Sequence, residues 1–346
     1  MYSGRSKTVW VPGLSVVSYP KAVDTFDDDD SAISTLNTSS LTSLRSSVLR
    51  AQEENGRTYH SMSSGKYNYP NDERENDRLD IQHNVWLLTL DGELGLSPKI
   101  SEPAKRVLDA GTGTGIWAVE YADLHPESEV IGVDLSPIQP SLVPPNCTFE
   151  VDDLEKEWTW SKKFDLVLSR VMTGCFVDMQ EFVHKAYAHL EPGGYLEMQD
   201  LTNPLACDDG TLHEGLELHR LGHLLVEASD KAGRPNNTAS KYKEYLEKAG
   251  FVDVVERKFK WPLNQWPKEK KYKEIGAWTC ENLTSGLEGL LLALLTRFLG
   301  WTPEEVIAFC ALVRKQLRDT SIHAYIPVYI VYGRKPEEVA KSSPAS

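Results

Sequence analysis

Short apolar segments alternate with amphipathic segments through the middle of the chain. Apolar runs of strand length occur at 106–109, 130–134, 148–151, 164–168 and 195–199. Helical spacing of apolar residues is found between them, at about 115–124 and 178–190. After these come predicted helices over 211–231 and 241–248 and predicted strands over 251–259 and 324–332. Strands that alternate with helices predict an α/β fold with a doubly wound, mostly parallel sheet.

Helices are also predicted on both sides of this alternation. Leu79 and Trp86 recur at helical spacing within a predicted helix over 71–90. Residues 261–318 are predicted to be mostly helical, and one helix should begin at Thr302, where a capping residue precedes a proline. Helical regions therefore flank the first strand and separate the last two strands.

The first fifty residues differ in composition from the rest. Residues 27–30 are all aspartate, and ten of the seventeen residues in 31–47 are serine or threonine. Such a segment cannot bury enough apolar surface to offset its ordering entropy. We therefore predict a disordered tail over 1–55, one folded domain over 56–336 and a flexible C-terminus over 337–346.

The chain is acidic, with 51 Asp and Glu against 37 Lys and Arg and a formal net charge of -14. Long-range repulsion of phosphates disfavours non-specific nucleic-acid binding. The five cysteines are widely spaced and form no CxxC pair, so neither a disulfide framework nor a metal site is predicted. No signal peptide or membrane span is expected, and we place the protein in the cytoplasm. A lysine cluster at 268–273 is interpreted as a solvated helix face rather than a nuclear import signal.

A glycine-rich turn follows the first predicted strand of the sheet. The strand ends at Asp109, and Gly111, Gly113 and Gly115 lead into a helix. Glycines there let the backbone turn sharply and approach a ligand. The P-loop lysine and the G-x-G-x-x-G spacing are both missing. The Asp109 carboxylate would repel a pyrophosphate and would suit a sulfonium or ammonium group, which favours S-adenosylmethionine over NAD and disfavours a dehydrogenase.

Acidic residues also follow the next two predicted strands. Asp134 closes the second strand, nineteen residues beyond Gly115, where a carboxylate can accept both hydroxyls of an adenosine ribose. Asp152 and Asp153 follow the third strand, where an acid can accept from the exocyclic amine of adenine. Acids after three successive strands predict an adenosyl site.

These residues resemble class I S-adenosylmethionine-dependent methyltransferases, and most closely the fungal LaeA-like branch linked to secondary metabolism. The resemblance covers about 57–336, and its DLSPIQP string is specific to that branch. It is carried mainly by PNDERENDRLDIQH, VLDAGTGTGIWAVEYAD, VIGVDLSPIQPSLVPPN, FEVDDLEKEW and LEPGGYLEMQD.

The resemblance implies a seven-stranded sheet whose last strand is inserted antiparallel. It assigns Asp109 and the three glycines to the methionine end of the cofactor and Asp134 to the ribose, and it includes Leu135 among the cofactor-binding residues. Asp152 and Asp153 would then hold the adenine, while Arg170 would line the cofactor pocket. It also implies an N-terminal lid over about 57–100 and a helical cap over about 261–320.

Residues that act on the methyl acceptor are harder to predict, because methyl transfer needs no obligatory base. Asp200 and Met172, after the fifth and fourth strands, and His83 on the lid helix are candidates for the acceptor pocket. His219 and His223 share a face of the predicted helix over 211–231 with the spacing of a base or metal pair. Surface or core histidines are commoner, and that interpretation is favoured for this pair.

The sequence therefore predicts a methyltransferase that acts on a small-molecule secondary metabolite. The alternative is a LaeA-like nuclear regulator that acts through protein partners.

Overall fold

The computed structural model describes residues 52–62 and 65–337, and its central feature is a seven-stranded sheet. The predicted tail therefore falls almost entirely outside the described residues, as does all but the first residue of the predicted C-terminus. The first two strands, β1 (Gln52–Glu54) and β2 (Arg57–Tyr59), form a separate antiparallel hairpin. The sheet comprises β3 (Arg106–Ala110), β4 (Glu129–Asp134), β5 (Cys147–Val151), β6 (Phe164–Arg170), β7 (Leu190–Leu201), β8 (Val252–Pro262) and β9 (Tyr325–Arg334).

The strand order is β5-β4-β3-β6-β7-β9-β8. All neighbours from β5 to β7 are parallel, whereas β9 runs antiparallel to both β7 and β8. The mostly parallel α/β sheet and its inserted antiparallel last strand are thus confirmed.

Seven α-helices accompany the strands within the described residues. They are α1 (Glu73–Thr89), α2 (Ile116–Leu124), α3 (Met179–His189), α4 (Glu217–Lys231), α5 (Tyr242–Ala249), α6 (Lys270–Leu299) and α7 (Pro303–Leu317). Short 3-10 turns occur at Pro98–Ile100 and Ala239–Lys241. None of these helices combines the length and apolar character that a membrane crossing requires.

The long helix α6 packs against α1, α4, α7 and β8. Its leucines Leu287, Leu291 and Leu295 are buried in the largest apolar cluster of the core. The indole rings of Trp86 from α1 and Trp261 from β8 meet edge to face in the same cluster, with centroids 4.7 Å apart. Burial of large aromatic side chains in such contacts contributes strongly to core stability, so α1 and α6 are fixed to one edge of the sheet.

Two local predictions are wrong. The helix predicted over 211–231 begins only at Glu217, because Gly215 and the carbonyl of His213 form a turn that ends in a Leu216-to-His213 hydrogen bond. The strand predicted over 195–199 is longer than expected: β7 begins at Leu190, directly after α3, and includes Pro192–Gly194. Gly193 has a φ of 79° there, next to a shift of the β6–β7 register, so the glycines permit an irregular start to the strand.

Candidate functional site

A cavity of about 210 Å³ lies beyond the carboxyl ends of β3, β4, β5 and β6. In open α/β sheets, ligands bind at this edge, where the strand order reverses. Eight of the nine cofactor residues predicted from the sequence line it: Asp109, Gly111, Gly113, Asp134, Leu135, Asp152, Asp153 and Arg170. The ninth, Gly115, does not line the cavity.

The glycine turn brings the backbone close to the cavity. Gly111, Gly113 and Gly115 all have positive φ values, of 78°, 57° and 82°, which L-residues rarely adopt. A Cβ on Gly111 would lie 2.1 Å from Met172 Sδ, and one on Gly115 would lie 2.4 Å from the ring of Phe149. The first glycine therefore lets the Met172 side chain pack directly on the turn, and the last permits close packing of the Phe149 ring behind it.

Asp109 is buried at the end of β3 and accepts a hydrogen bond of 2.6 Å from Thr112 Oγ1. Burial raises the pKa of Asp109 to about 6, against the opposing effects of Thr112 and the Arg170 charge. A buried carboxyl group with this pKa gains from a cationic partner, which would restore its ionised form.

Asp134, at the end of β4, binds the backbone of the glycine-rich turn after β3. Its Oδ2 accepts from the backbone N–H of Gly113 at 3.0 Å, and its Oδ1 accepts from Ser136 at 3.0 Å. Burial raises the pKa of Asp134 to about 6. Each carboxylate oxygen can accept a further hydrogen bond, so the group can bind two donors from the cavity.

The two acids after β5 differ in their contacts. Asp153 is buried, accepts from the backbone of Glu155 at 3.1 Å and forms an ion pair of 2.6 Å with Lys66. Asp152 Oδ1 accepts from the backbone of Asp153 at 2.7 Å. Lys66 also lines the cavity and was not predicted, since it lies eighty-seven residues from its partner and only the tertiary fold brings them together.

Arg170 and His83 form a polar pair in the cavity wall. Arg170 Nη2 donates to His83 Nδ1 at 2.9 Å, and His83 Nε2 lies 2.9 Å from Glu120 Oε2. Because the guanidinium can only donate, Nδ1 must be the acceptor and Nε2 carries the proton that binds Glu120. Burial lowers the pKa of His83 from its ordinary value, which keeps the ring in this neutral state. The predicted acceptor candidate His83 therefore orients Arg170.

Of the predicted acceptor residues Met172 and Asp200, only Met172 lines the cavity, next to Gly111. Asp200 is buried behind the cavity wall, where its Oδ2 accepts from the Met172 backbone at 3.0 Å and from Tyr242 Oη at 2.8 Å. Asp200 thus anchors the loop after β6. Burial raises its pKa to about 7.

His219 and His223 are adjacent on α4, with ring centroids 4.5 Å apart, but neither lines the cavity. His219 is half-buried and His223 is exposed. Within residues 52–62 and 65–337, no group of three or more His, Cys, Asp or Glu side chains is arranged to hold a metal ion.

The part of the cavity away from the carboxylates is mainly apolar, although Asn203 and Asn236 also line the cavity. Its walls come from α1, α4, α6, the loop after β7 and the last two strands, which lie on the other side of β6 from β4 and β5. Its apolar residues are Trp86, Leu201, Leu205, Leu221, Leu225, Trp261, Leu283, Leu287, Leu290, Leu291 and Ile326. We call this part the leucine-lined half. The resemblance implies a helical cap over about 261–320, but the sequence did not single out these residues, because core and cavity leucines have the same helical spacing.

Comparisons with known proteins agree with this geometry. Residues 88–256 match the model of a methyltransferase domain family. Methyltransferase pytC of Aspergillus terreus is 39% identical over 324 residues, covering 93% of this chain and 100% of that protein. Secondary metabolism regulator LAE1 of Cochliobolus heterostrophus is 39% identical over 291 residues, which cover 82% of this chain and 95% of that protein. Secondary metabolism regulator laeA of Monascus pilosus is 36% identical, with coverages of 82% and 78%.

Proposed function

This chain is a methyltransferase of the fungal family that includes pytC and LAE1, and we propose that it binds S-adenosylmethionine along the carboxylate edge and methylates a small molecule in the leucine-lined half. The observation that carries the proposal is the position of Asp109, Asp134 and Asp152 after three successive strands and on one cavity. A carboxylate-lined edge suits an adenosyl group with a cationic end and repels the pyrophosphate of a dinucleotide.

The residues present fit this cofactor. Asp134 has lone pairs for two ribose hydroxyls, and Gly111, Gly113 and Met172 line the cavity beside it. Asp109 carries the charge that an α-ammonium or a sulfonium requires. When bound, the cofactor supplies a methyl group already activated by positive sulfur.

Asp152 suits the adenine amine better than Asp153. The charge of Asp153 is already compensated by its ion pair with Lys66, and its other oxygen accepts from the Glu155 backbone. Asp152 Oδ2 accepts no hydrogen bond from the residues that the structure describes. Leu135 and Leu154 line the same region and can pack on the base.

The tasks of the protein in this reaction are alignment and exclusion of water. The sulfonium would lie near Asp109 and Met172, next to the boundary with the leucine-lined half. The apolar walls hold the acceptor against the methyl group and keep bulk water out.

The second candidate is a regulator that acts through protein partners, since LAE1 and laeA are named regulators of secondary metabolism. The leucine-lined half favours a small apolar acceptor over a protein side chain. Radiolabelled methyl transfer from S-adenosylmethionine into either the small-molecule or the protein fraction of a fungal extract separates the two. We place the protein in the cytoplasm under the first candidate and in the nucleus under the second.

Isothermal titration calorimetry with S-adenosylhomocysteine tests the cofactor site. Asp134→Asn retains one acceptor oxygen but loses the charge that strengthens bonds to the ribose. Complete loss of a charged hydrogen-bond partner costs about 1.5–3 kcal/mol, so Asp134→Ala should lower the affinity roughly ten- to a hundred-fold and Asp134→Asn by less. Glu127→Ala, on the exposed loop before β4, is the control and should bind like the wild type. Equal affinities for wild type and Asp134→Asn would contradict the ribose assignment.

A further inference from the structure

One polar side chain interrupts the apolar wall that α6 gives to the cavity. Of the five α6 residues that line it, four are leucines and the fifth is Asn282. Only 2% of Asn282 is exposed. A buried amide in an apolar wall is costly unless its polar groups have partners, so the contacts of Asn282 indicate its role.

The orientation of the Asn282 amide is fixed by Arg78. Arg78 Nη1 donates to the amide at 2.9 Å, and a guanidinium can only donate, so the atom that faces it must be Oδ1. Arg78 itself is held by Glu75 Oε1, which accepts from Nε at 3.0 Å and from Nη2 at 2.8 Å. The Nδ2 group of Asn282 is thereby turned away from Arg78. It donates to no described residue and is not enclosed by protein atoms, so it is accessible from the cavity.

Glu75, Arg78 and Asn282, which we call the amide relay, carry no net charge. Glu75 and Arg78 are 1% and 5% exposed, and the carboxylate neutralises the guanidinium within the relay. In the leucine-lined half and the relay beside it, no other charged side chain of the described residues lines the cavity. A charged acceptor would therefore be buried there without a counter-ion, at a high desolvation cost.

Two glycines in α6 make room for the relay. A Cβ on Gly286 would lie 2.2 Å from Arg78 Cδ, and one on Gly289 would lie 2.9 Å from Arg57 Nη1. Glycine weakens a helix interior. Its presence at these two positions is explained by the close approach of the charged side chains of Arg78 and Arg57.

We infer that Asn282 is a specificity-determining residue whose Nδ2 donates a hydrogen bond to an oxygen atom of an uncharged, apolar acceptor molecule. This inference rests on the proposed function, because it assigns the leucine-lined half to the methyl acceptor. The expected acceptor is an uncharged, mainly hydrocarbon molecule that carries at least one oxygen atom. An aromatic ketone is a simple probe of this class. Arg78 and Glu75 are positioning residues that act through the amide.

The test uses the full chain saturated with S-adenosylhomocysteine and two probes of similar shape, 2-acetylnaphthalene and 2-isopropylnaphthalene. The wild type should bind the ketone about two- to ten-fold more tightly, the value of one net hydrogen bond between uncharged groups. Asn282→Asp keeps the oxygen that Arg78 requires and removes the donor, so the preference for the ketone should disappear. Leu283→Met, a neighbouring apolar position, should change the affinity for both probes alike.

Wild-type protein that binds both probes equally, or does not bind the ketone, overturns the inference whether or not the variant folds. Retained ketone preference in Asn282→Asp also overturns it, as does binding of 2-naphthoate as tight as that of the ketone. The affinity for S-adenosylhomocysteine should be unchanged in Asn282→Asp. If the wild type does not bind S-adenosylhomocysteine at all, the cofactor site fails instead, so the two failures are distinguishable.

Discussion

The carboxyl groups at the sheet edge have raised pKa values before any ligand binds. Burial raises those of Asp109 and Asp134 to about 6 and that of Asp200 to about 7. Each of these carboxyl groups is harder to ionise in the folded protein than in the unfolded chain. The stability of the folded state therefore decreases as the pH rises from the ordinary pKa of the group to its raised pKa. Asp109 and Asp134 line the cavity, and a ligand that donates to them supplies the stabilisation that their ionised forms lack.

We expect the affinity for S-adenosylhomocysteine to depend on pH near 6. Ribose hydroxyls and an α-ammonium interact better with ionised Asp134 and Asp109, so binding lowers both pKa values and releases protons when the free groups are protonated. The affinity should therefore fall as the pH is lowered from 7.5 to below about 6. Calorimetric titrations in buffers with different ionisation enthalpies measure the protons released. Proton uptake, or an affinity that rises at low pH, would contradict these assignments.

Some site residues could be predicted from the sequence because their position follows from the strands. Asp109 and Asp134 come directly after apolar runs, and the carboxyl ends of parallel strands meet at one edge. Lys66 and Asn282 could not be predicted in this way. Their partners Asp153 and Arg78 lie 87 and 204 residues away, and no local pattern encodes such contacts.

The helix α6 combines two roles that usually conflict. Its leucines complete the core, while Asn282, Gly286 and Gly289 form a polar, narrow side that accommodates charged groups of α1 and β2. The helix is thirty residues long and packs against several elements, so tertiary contacts compensate for the glycines.

Gly286→Ala should destabilise the protein although alanine is the better helix former. The substitution would gain about 1 kcal/mol in a free helix. Here the added Cβ would lie 2.2 Å from Arg78 Cδ, and the guanidinium of Arg78 is held by hydrogen bonds to Glu75 and Asn282. Overpacking of this kind costs about 1–3 kcal/mol. Urea denaturation measures the free energy of unfolding. Ser285→Ala, the preceding position, should change it by less than about 0.5 kcal/mol, and a stabilised Gly286→Ala would show that Arg78 is not constrained.

The elements of the sheet were predictable because their apolar runs are short and bounded by turns. The start of α4 was not, since the residues before Glu217 contain histidine and glutamate that are compatible with a helix while Gly215 favours a turn. The irregular first part of β7, residues 190–194, was also not predicted as strand, because proline and glycine are rare in strands.

At the scale of the whole molecule, the strand order places the acidic and the apolar parts of the cavity on opposite sides of β6. Carboxylates follow β3, β4 and β5 on one side of β6, and the leucine-lined half is built around β7, β8 and β9 with the helices α4 and α6. The cofactor and the acceptor would therefore meet near the end of β6, at Arg170 and Met172. The fold and the carboxylates at the sheet edge could be predicted from the alternation of strands and helices. The leucine-lined half could not, because it depends on packing between helices that are distant in the sequence.

A crystal structure with bound S-adenosylhomocysteine tests this account most directly. The account predicts ribose hydroxyl oxygens within about 3 Å of the Asp134 carboxylate, with the α-amino group next to Asp109 and the adenine amine next to Asp152. The sulfur should face the leucine-lined half. An adenosine bound elsewhere, or a ribose without contact to Asp134, would contradict the central claim that this edge of the sheet is the methyl-donor site.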